Sequence, residues 1–524
     1  MARFLAVLSL AILASCATQP REQTLVERAL DAMGGRERVA AIGTLSLKGT
    51  LKQWEPEQSE IPGGEMRFGN EGSFEALIDR TRLSERYDYE KRFAYPAART
   101  YRYSEIVTPQ AGFVLGVDST SRNAQDLKMA PPAHSMSGLR LATTQREQLR
   151  ASATGLLTAM SANPSRVRPA LDLVIGGVDY PTVSYGPFLV AFDPKSGLPA
   201  RVRTLDYDNL WGDVTYDAVY ADWRDTVGVK FPMRLTYELN GRVVQEVQLT
   251  DVRLNPPVDP AKFEVPAALR VDAPPPAIGK VPTQWVIRRQ FIGVYLDSES
   301  PGYDTRASKG LRFQPLAPGV FHVVGGTHNS LLVEMSDHLI VVDAPISDAQ
   351  SLWVLNEAKQ RFPGKPVRWL VLTHHHMDHA GGLRAYLAQG ATLVVGEGSR
   401  AHFRRVLAAP IERNPDLPPH DFSQVPIVEV PESHVMRDAR GRQVIAYAMA
   451  NPHARGMLMA YVPDARLGFV ADLWSPGPPL PPKPNAALLS VVNTVNRAHI
   501  EPLRFAGGHG GVADYAPLAK LAGE

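Results

Sequence analysis

From about Thr182 to Val252 apolar and polar positions alternate in the period of two that predicts antiparallel strands. Phe188-Leu189-Val190-Ala191-Phe192 runs into Asp193-Pro194-Lys195-Ser196-Gly197-Leu198-Pro199, a turn by composition, and Arg201, Arg203 and Leu205 then alternate with other residues. Arg234-Leu235-Thr236-Tyr237-Glu238-Leu239 faces Val243-Val244-Gln245-Glu246-Val247 across Asn240-Gly241. That dipeptide tolerates the positive φ angles of a type I′ hairpin. A helix is expected near Leu25–Met33.

The pattern changes after Val271-Asp272-Ala273-Pro274-Pro275-Pro276, a stiff stretch that reads as a boundary. Beyond it Val320–Val324, Ser330–Glu334 and Leu339–Val342 read as strands, and Ala349–Arg361 as a helix. Arg368-Trp369-Leu370-Val371-Leu372 reads as a buried strand, and Gly381–Leu387 as the start of a helix. Strands interleaved with helices predict a layered α/β domain. The expected organisation is a leader over 1–15, a β-rich domain over 16–270, a connecting segment over 271–312 and an α/β domain over 313–524. Residues 285 to about 312 carry no clear pattern and are assigned to the second domain.

Charge narrows the partners. Lys and Arg total 56 against 54 for Asp and Glu, a net charge of +2. A near balance argues against nucleic acid, which usually requires a basic surplus. The N-terminus is more telling. Arg3 precedes an apolar run, Phe4 to Leu13, too short to span a bilayer as a mature helix, so it reads as a secretory leader. It ends at Leu13-Ala14-Ser15-Cys16, and Cys16 is the sole cysteine. This segment resembles a bacterial lipobox, which implies acylation at Cys16 and attachment to a membrane. Ala17 after the cysteine favours the periplasmic face of the outer membrane. Any metal site in the mature chain must then use His, Asp or Glu.

Such a site is visible in Thr373-His374-His375-His376-Met377-Asp378-His379, directly after the buried strand. A strand end fixes the first donor, and a tight loop converges others on one point. Imidazoles and carboxylates suit zinc and other borderline divalent ions. With 14 histidines in 524 residues, H-x-H-x-D-H seldom arises by chance.

This motif, following a hydrophobic strand and a threonine, resembles the signature of the metallo-β-lactamase superfamily. Other phrases follow in the family's order: Asn329-Ser330, Val341-Val342-Asp343-Ala344-Pro345, Pro452-His453-Ala454-Arg455-Gly456-Met457, Gly468-Phe469-Val470-Ala471-Asp472 and Gly507-Gly508-His509-Gly510. The resemblance implies an αββα sandwich from about Leu316 onward. It implies that His374, His376 and His453 hold one metal, that Asp378, His379 and His509 hold a second, and that Asp472 bridges them. Asp343 and Thr373 become candidates to orient histidine ligands. His375 occupies a variable position of the motif and is left out. The β-rich half, closing on Pro260-Ala261-Lys262-Phe263-Glu264-Val265-Pro266, resembles the lipoprotein-carrier (LolA-like) fold. That resemblance implies a curved antiparallel sheet whose helical lid covers an apolar concavity.

A two-metal site of this family implies hydrolysis, in which a metal-bridging hydroxide attacks an ester, lactone, amide or phosphoryl bond. Two Zn2+ per chain are expected, with Mn2+ or Fe as substitutes. Asp378 is the expected catalytic carboxylate, orienting the nucleophile and shuttling its proton. Substrates would be small or amphiphilic molecules, and the loops around Arg404–Phe422 and Trp474–Pro482 are expected to shape the pocket. Two alternatives stand beside this. One is a mono-iron oxidoreductase resembling the persulfide dioxygenases. The other is a lipid-binding lipoprotein with a secondary metal domain.

Overall fold

A computed structural model describes residues 20–120, 124–269, 282–294, 296–297 and 310–523. Cys16 with its leader, and the proline-rich stretch 271–276, lie outside the described residues.

Thirteen antiparallel strands form one sheet in the first half. Its centre is the pairing of Thr44–Glu55 with Arg67–Asp79 on one side and Arg242–Leu254 on the other. The Asn240-Gly241 turn joins Val229–Leu239 to Arg242–Leu254, with φ of 47° and 77°, as a type I′ hairpin requires. The first helix is Arg21–Ala32. Val26, Ala29, Leu30 and Met33 recur at intervals of three and four, so they share one face. That face joins Leu156, Leu157 and Met160 of helix Ala153–Ala162 against Val190, Val202, Ala218 and Val244 of the sheet. A separate cavity of about 190 Å³ lies among Leu47, Leu51, Phe74, Tyr89 and Leu249, below the helix Gly138–Ala151.

The second half is mixed α/β, with two further sheets of seven and six strands. In the larger one Leu339–Val342, Val367–Val371, Thr392–Gly396 and Ile427–Val430 run parallel. Alternate residues explain why these segments read as continuous apolar runs. Val341, Leu370 and Leu393 pack with Val354, Tyr386 and Phe403 of the neighbouring helices. Val342, Val371 and Val394 point the other way and pack with Leu458, Phe469 and Ala506 of the smaller sheet. Both faces are covered, so neither tolerates a polar alternation. The smaller sheet's other cluster combines Met457, Trp474 and Phe505 with Leu488, Val491 and Val495 of helix Ala486–Ala498.

The segment given to the second domain by default behaves differently. Thr283–Ile292 is a helix whose Ile287 and Phe291 enter the core of the first sheet, while Trp285 and Val286 join the core of the second half. It bridges both regions because its apolar residues lie on two faces, a pattern that periodicity alone does not attribute to one partner. A second seam forms at the Asp208–Trp211 turn. The buried guanidinium of Arg384 donates to the carbonyls of Asn209 and Leu210 at 3.1 and 3.0 Å, and Asn209 Nδ2 donates to the Ile346 carbonyl at 2.8 Å. The stretch Arg404–Phe422 begins inside helix Arg400–Ala408, and its Pro410 carbonyl accepts from Asp213 N of the first region.

Candidate metal centre

The chemistry-bearing side chains sit at the ends of adjacent strands. Asp343 follows Leu339–Val342, the His374–His379 run follows Val367–Val371, Asp472 follows Leu467–Val470, and His509 follows Arg504–Gly507. Strand ends are rigid where they leave the core, which fixes donor positions without spending loop entropy at binding. Asp343 and Asp472 both adopt the left-handed conformation, with φ of 64° and 57°. Aspartate visits that region more readily than most residues, yet two such turns at one site mark stored backbone strain. Asp378 and His379 lie on a short helical turn, Met377–Ala380, rather than on irregular loop. The turn forms because the His376 carbonyl accepts from both His379 N and Ala380 N.

Two groups of donors face one another. His374, His376, His453 and Asp472 form one, and His328, Asp378, His379 and His509 the other; within each group the donor atoms lie within 4.8 Å of one another. Asp472 straddles the pair. Its Oδ2 lies 3.0 Å from His374 Nε2 and 2.9 Å from His453 Nε2, while its Oδ1 lies 3.4 Å from His379 Nε2 and contacts His509 Nε2. His453 Nε2 is 3.1 Å from His376 Nδ1. All seven residues singled out in the sequence are therefore drawn together.

Neighbouring groups fix which nitrogen each ring presents. The Asp343 carboxylate accepts from Thr373 N and Oγ1, and its Oδ2 also accepts from His379 Nδ1 at 2.9 Å. This leaves His379 Nε2 aimed at Asp472. Thr373 Oγ1, having donated to Asp343, accepts from His374 Nδ1 at 3.2 Å, which leaves His374 Nε2 inward. The buried Nε2 atoms of His374 and His379 make no regular hydrogen bond. Buried polar atoms without a regular hydrogen bond are costly, and both of these face the Asp472 carboxylate.

The protonation states match. Burial, with the neighbouring His379, lowers His374 to about 4; burial and nearby histidines hold His376 well below its usual range. Burial disfavours charge on Asp378 and Asp472, but the His328 hydrogen bond and His379 carry Asp378, and His379, His509, His453 and His374 carry Asp472, well below the ordinary carboxylate range. Burial likewise opposes a charged His379, yet Asp472 and Asp343 together raise it well above its usual value. Neutral imidazoles beside ionised carboxylates are the state a divalent cation requires, and a cation would replace the proton on His379. The donor set fits a pair of such ions.

His328 was not singled out in the sequence. It is fully buried, with Nε2 3.2 Å from Asp378 Oδ2, and burial and His509 lower it to about 4. Its neighbour Asn329 clamps the loop carrying His509, donating through Nδ2 to the carbonyls of Gly507 and Gly510. Gly508 fits this loop because a Cβ there would fall 2.8 Å from Ala471 Cβ and 3.2 Å from His379 Cε1. The Trp474–Pro482 stretch touches the same loop, since the Pro476 carbonyl accepts from Gly511 N. His328 carried a faint signal in its position beside Asn329-Ser330. Four residues of the first region, Gln58, Ser59, Arg67 and Tyr95, also reach the centre and carried none. Gln58 Nε2 donates to Asp378 Oδ1 at 2.8 Å, and His375 and His376 both donate through Nε2 to the Ser59 carbonyl at 2.8 Å.

Residues 323–498 match the family description "Metallo-beta-lactamase superfamily". The C-terminal region carries a domain of that superfamily. The chain is 30% identical over 81 residues, 16% of its length, to the 2,4-dinitroanisole O-demethylase subunit alpha of Nocardioides sp. (strain JS1661). That match spans 24% of the relative's own length. Among solved structures, a metallo-β-lactamase from Pontibacter korlensis overlaps 41% of this chain and 98% of its own, at 19% identity and a TM-score of 0.32. The mono-zinc form of FIM-1 from Pseudomonas aeruginosa overlaps 41% of this chain and 96% of its own, at 21% identity and a TM-score of 0.29.

Proposed function

We propose that the protein is a metal-dependent hydrolase that holds two zinc ions in an αββα domain and cleaves an ester, lactone, amide or phosphoryl bond. The observation that carries this reading is Asp472, whose two carboxylate oxygens face two separate groups of imidazoles. When bound, a pair of divalent ions supplies Lewis acidity and lowers the pKa of water toward neutrality.

The chain's own residues do the rest. His374, His376 and His453 would hold one ion, and Asp378, His379 and His509 the other, with Asp472 between them. Thr373 and Asp343 hold the rings of His374 and His379 in the tautomer that leaves Nε2 free. Asp378, the proposed catalytic carboxylate, would orient an attacking water and relay its proton; the donors around it keep it ionised despite burial. Metal analysis and a substrate panel on the zinc-loaded protein test the reading. About two zinc per chain with turnover of an acyl or phosphoryl substrate supports it. One iron per chain without hydrolysis would favour the oxidoreductase instead.

The leader and Cys16 support a lipid-anchored, exported protein on the periplasmic face of the outer membrane; acyl labelling that survives in Cys16→Ser would end that reading. The cavity lined by Leu47, Leu51 and Phe74 supports an amphiphilic substrate and a carrier-like first region. Turnover of acyl esters should then rise with chain length, and Leu249→Trp should remove that rise.

A further inference from the structure

The centre is not enclosed by the second region alone. The segment after strand Thr44–Glu55 crosses the seam and touches the His374–His379 run at successive residues. Met377 N donates to the Glu57 carbonyl, Gln58 Nε2 to Asp378 Oδ1, and His375 and His376 to the Ser59 carbonyl. Arg455 N, two residues beyond His453, donates to the Glu60 carbonyl at 2.8 Å.

We propose that the Glu57–Glu60 segment of the N-terminal region is a working part of the metal centre, with Gln58 as a positioning residue for Asp378 and the Ser59 carbonyl as the group that sets the His376 tautomer. This rests on the two-ion reading above and goes beyond it, because it makes both regions components of one site. Two geometric facts carry the proposal. With Oδ1 of Asp378 occupied by the Gln58 amide, the oxygen presented to His328 and the second donor group is Oδ2. With Nε2 of His376 donating to Ser59, the nitrogen left to face His453 is Nδ1. Each contact therefore selects one donor atom, which is what outer-layer hydrogen bonds do at metal sites.

The segment is itself held firmly. Tyr95 OH donates to Gln58 Oε1 at 2.7 Å, which fixes the amide so that its nitrogen faces Asp378. Arg67 donates through Nε to the Gln58 carbonyl and through a terminal nitrogen to the His453 carbonyl, and its guanidinium lies 4.9 Å above the Tyr95 ring. One arginine thus ties the segment to two donors' neighbourhoods at once. Behind it, Glu55 Oε1 accepts from Glu57 N, and the Glu57 carboxylate lies 3.6 Å from Arg289 of the bridging helix Thr283–Ile292. A chance surface contact would not be expected to bury carboxylates and guanidiniums on both sides.

The test is a metal titration of the full-length protein against a chromophoric chelator, with Zn2+ and with Co2+, comparing wild type, Gln58→Leu, Tyr95→Phe and the surface control Val227→Asn. The expected result is two ions for wild type and the control. For Gln58→Leu the affinity of one ion should fall about 10–100-fold and its cobalt absorption spectrum should change, with the other ion unmoved. Tyr95→Phe should shift the same ion in the same direction by less, and it keeps the test alive if the leucine variant fails to fold. Two ions bound by wild type, with affinities and cobalt spectra unaltered in both variants, would overturn this proposal and spare the hydrolase reading. A wild type that binds neither ion would overturn both.

Discussion

The first region and the second are both organised around β-sheet, yet they use it in opposite ways. The thirteen-stranded sheet is antiparallel throughout, and its strands alternate between buried and exposed positions, as Arg67–Asp79 and Val229–Leu239 do. The central strands of the second region are buried on both faces: Leu339–Val342 and Met457–Val462 have no exposed residue. Most neighbours in the antiparallel sheet are joined by short turns, as at Asn240-Gly241, so most of its strand ends are occupied; the longer connection from Thr44–Glu55 to Arg67–Asp79 is an exception. Parallel neighbours leave their carboxyl ends open, because each strand must exit into a helix before returning. Donors can collect there, and Asp343, the His374 run, Asp472 and His509 do. The first region then contributes what a strand end cannot supply, a segment that closes over the donors from outside.

Five substitutions would break or sharpen this contrast. The largest effect should come from Asp472→Ala or His376→Ala, each abolishing turnover and reducing bound metal while circular dichroism keeps the native signature. Near-normal rates in metal-checked samples of both would remove the centre from the mechanism. Phe231→Ala, in the core of the first sheet, should cost about 3–5 kcal/mol in denaturant unfolding. Metal stoichiometry in the remaining folded protein should stay as in wild type, because Phe231 belongs to that core and to neither donor group. His328→Ala should weaken the ion beside Asp378 by about 10–100-fold, read in the same chelator competition, with the ion beside His453 unaffected. Smallest is Val227→Asn. Valine at φ 53° in an exposed turn is strained, and asparagine tolerates that conformation, so stability should rise by about 1 kcal/mol with metal content unchanged. A fall in melting temperature would show that the turn is not strained.

Much of this was legible without coordinates. The Asn240-Gly241 hairpin followed from local backbone preference, and the strands Val320–Val324, Ser330–Glu334 and Leu339–Val342 from uninterrupted apolar runs. The seven polar residues drawn into one place could be named because their phrases resemble, in order, those of the metallo-β-lactamase superfamily; taken singly, His453, Asp472 and His509 carry little signal. His328 was harder to see, since a lone histidine beside Asn329 has no spacing pattern to reveal it. Helix Thr283–Ile292 has two apolar faces and two hosts, so periodicity could not tie it to one region. Gln58 and Ser59 could not be read at all: they act through an amide and a carbonyl, and every chain has many of both.

The order of side chains along the chain determined which chemistry is available: imidazoles and carboxylates at strand ends, with the sole cysteine at position 16, far from them in sequence. That is a matter of local spacing, which a linear pattern records. Tertiary structure decided how the donors are aimed. Gln58 lies 320 positions from Asp378 and Ser59 lies 317 from His376, and a contact over that separation exists only once two cores have packed against each other. Hydrogen bonds are short-ranged and directional, so which oxygen of Asp378 or which nitrogen of His376 is free is settled by that packing.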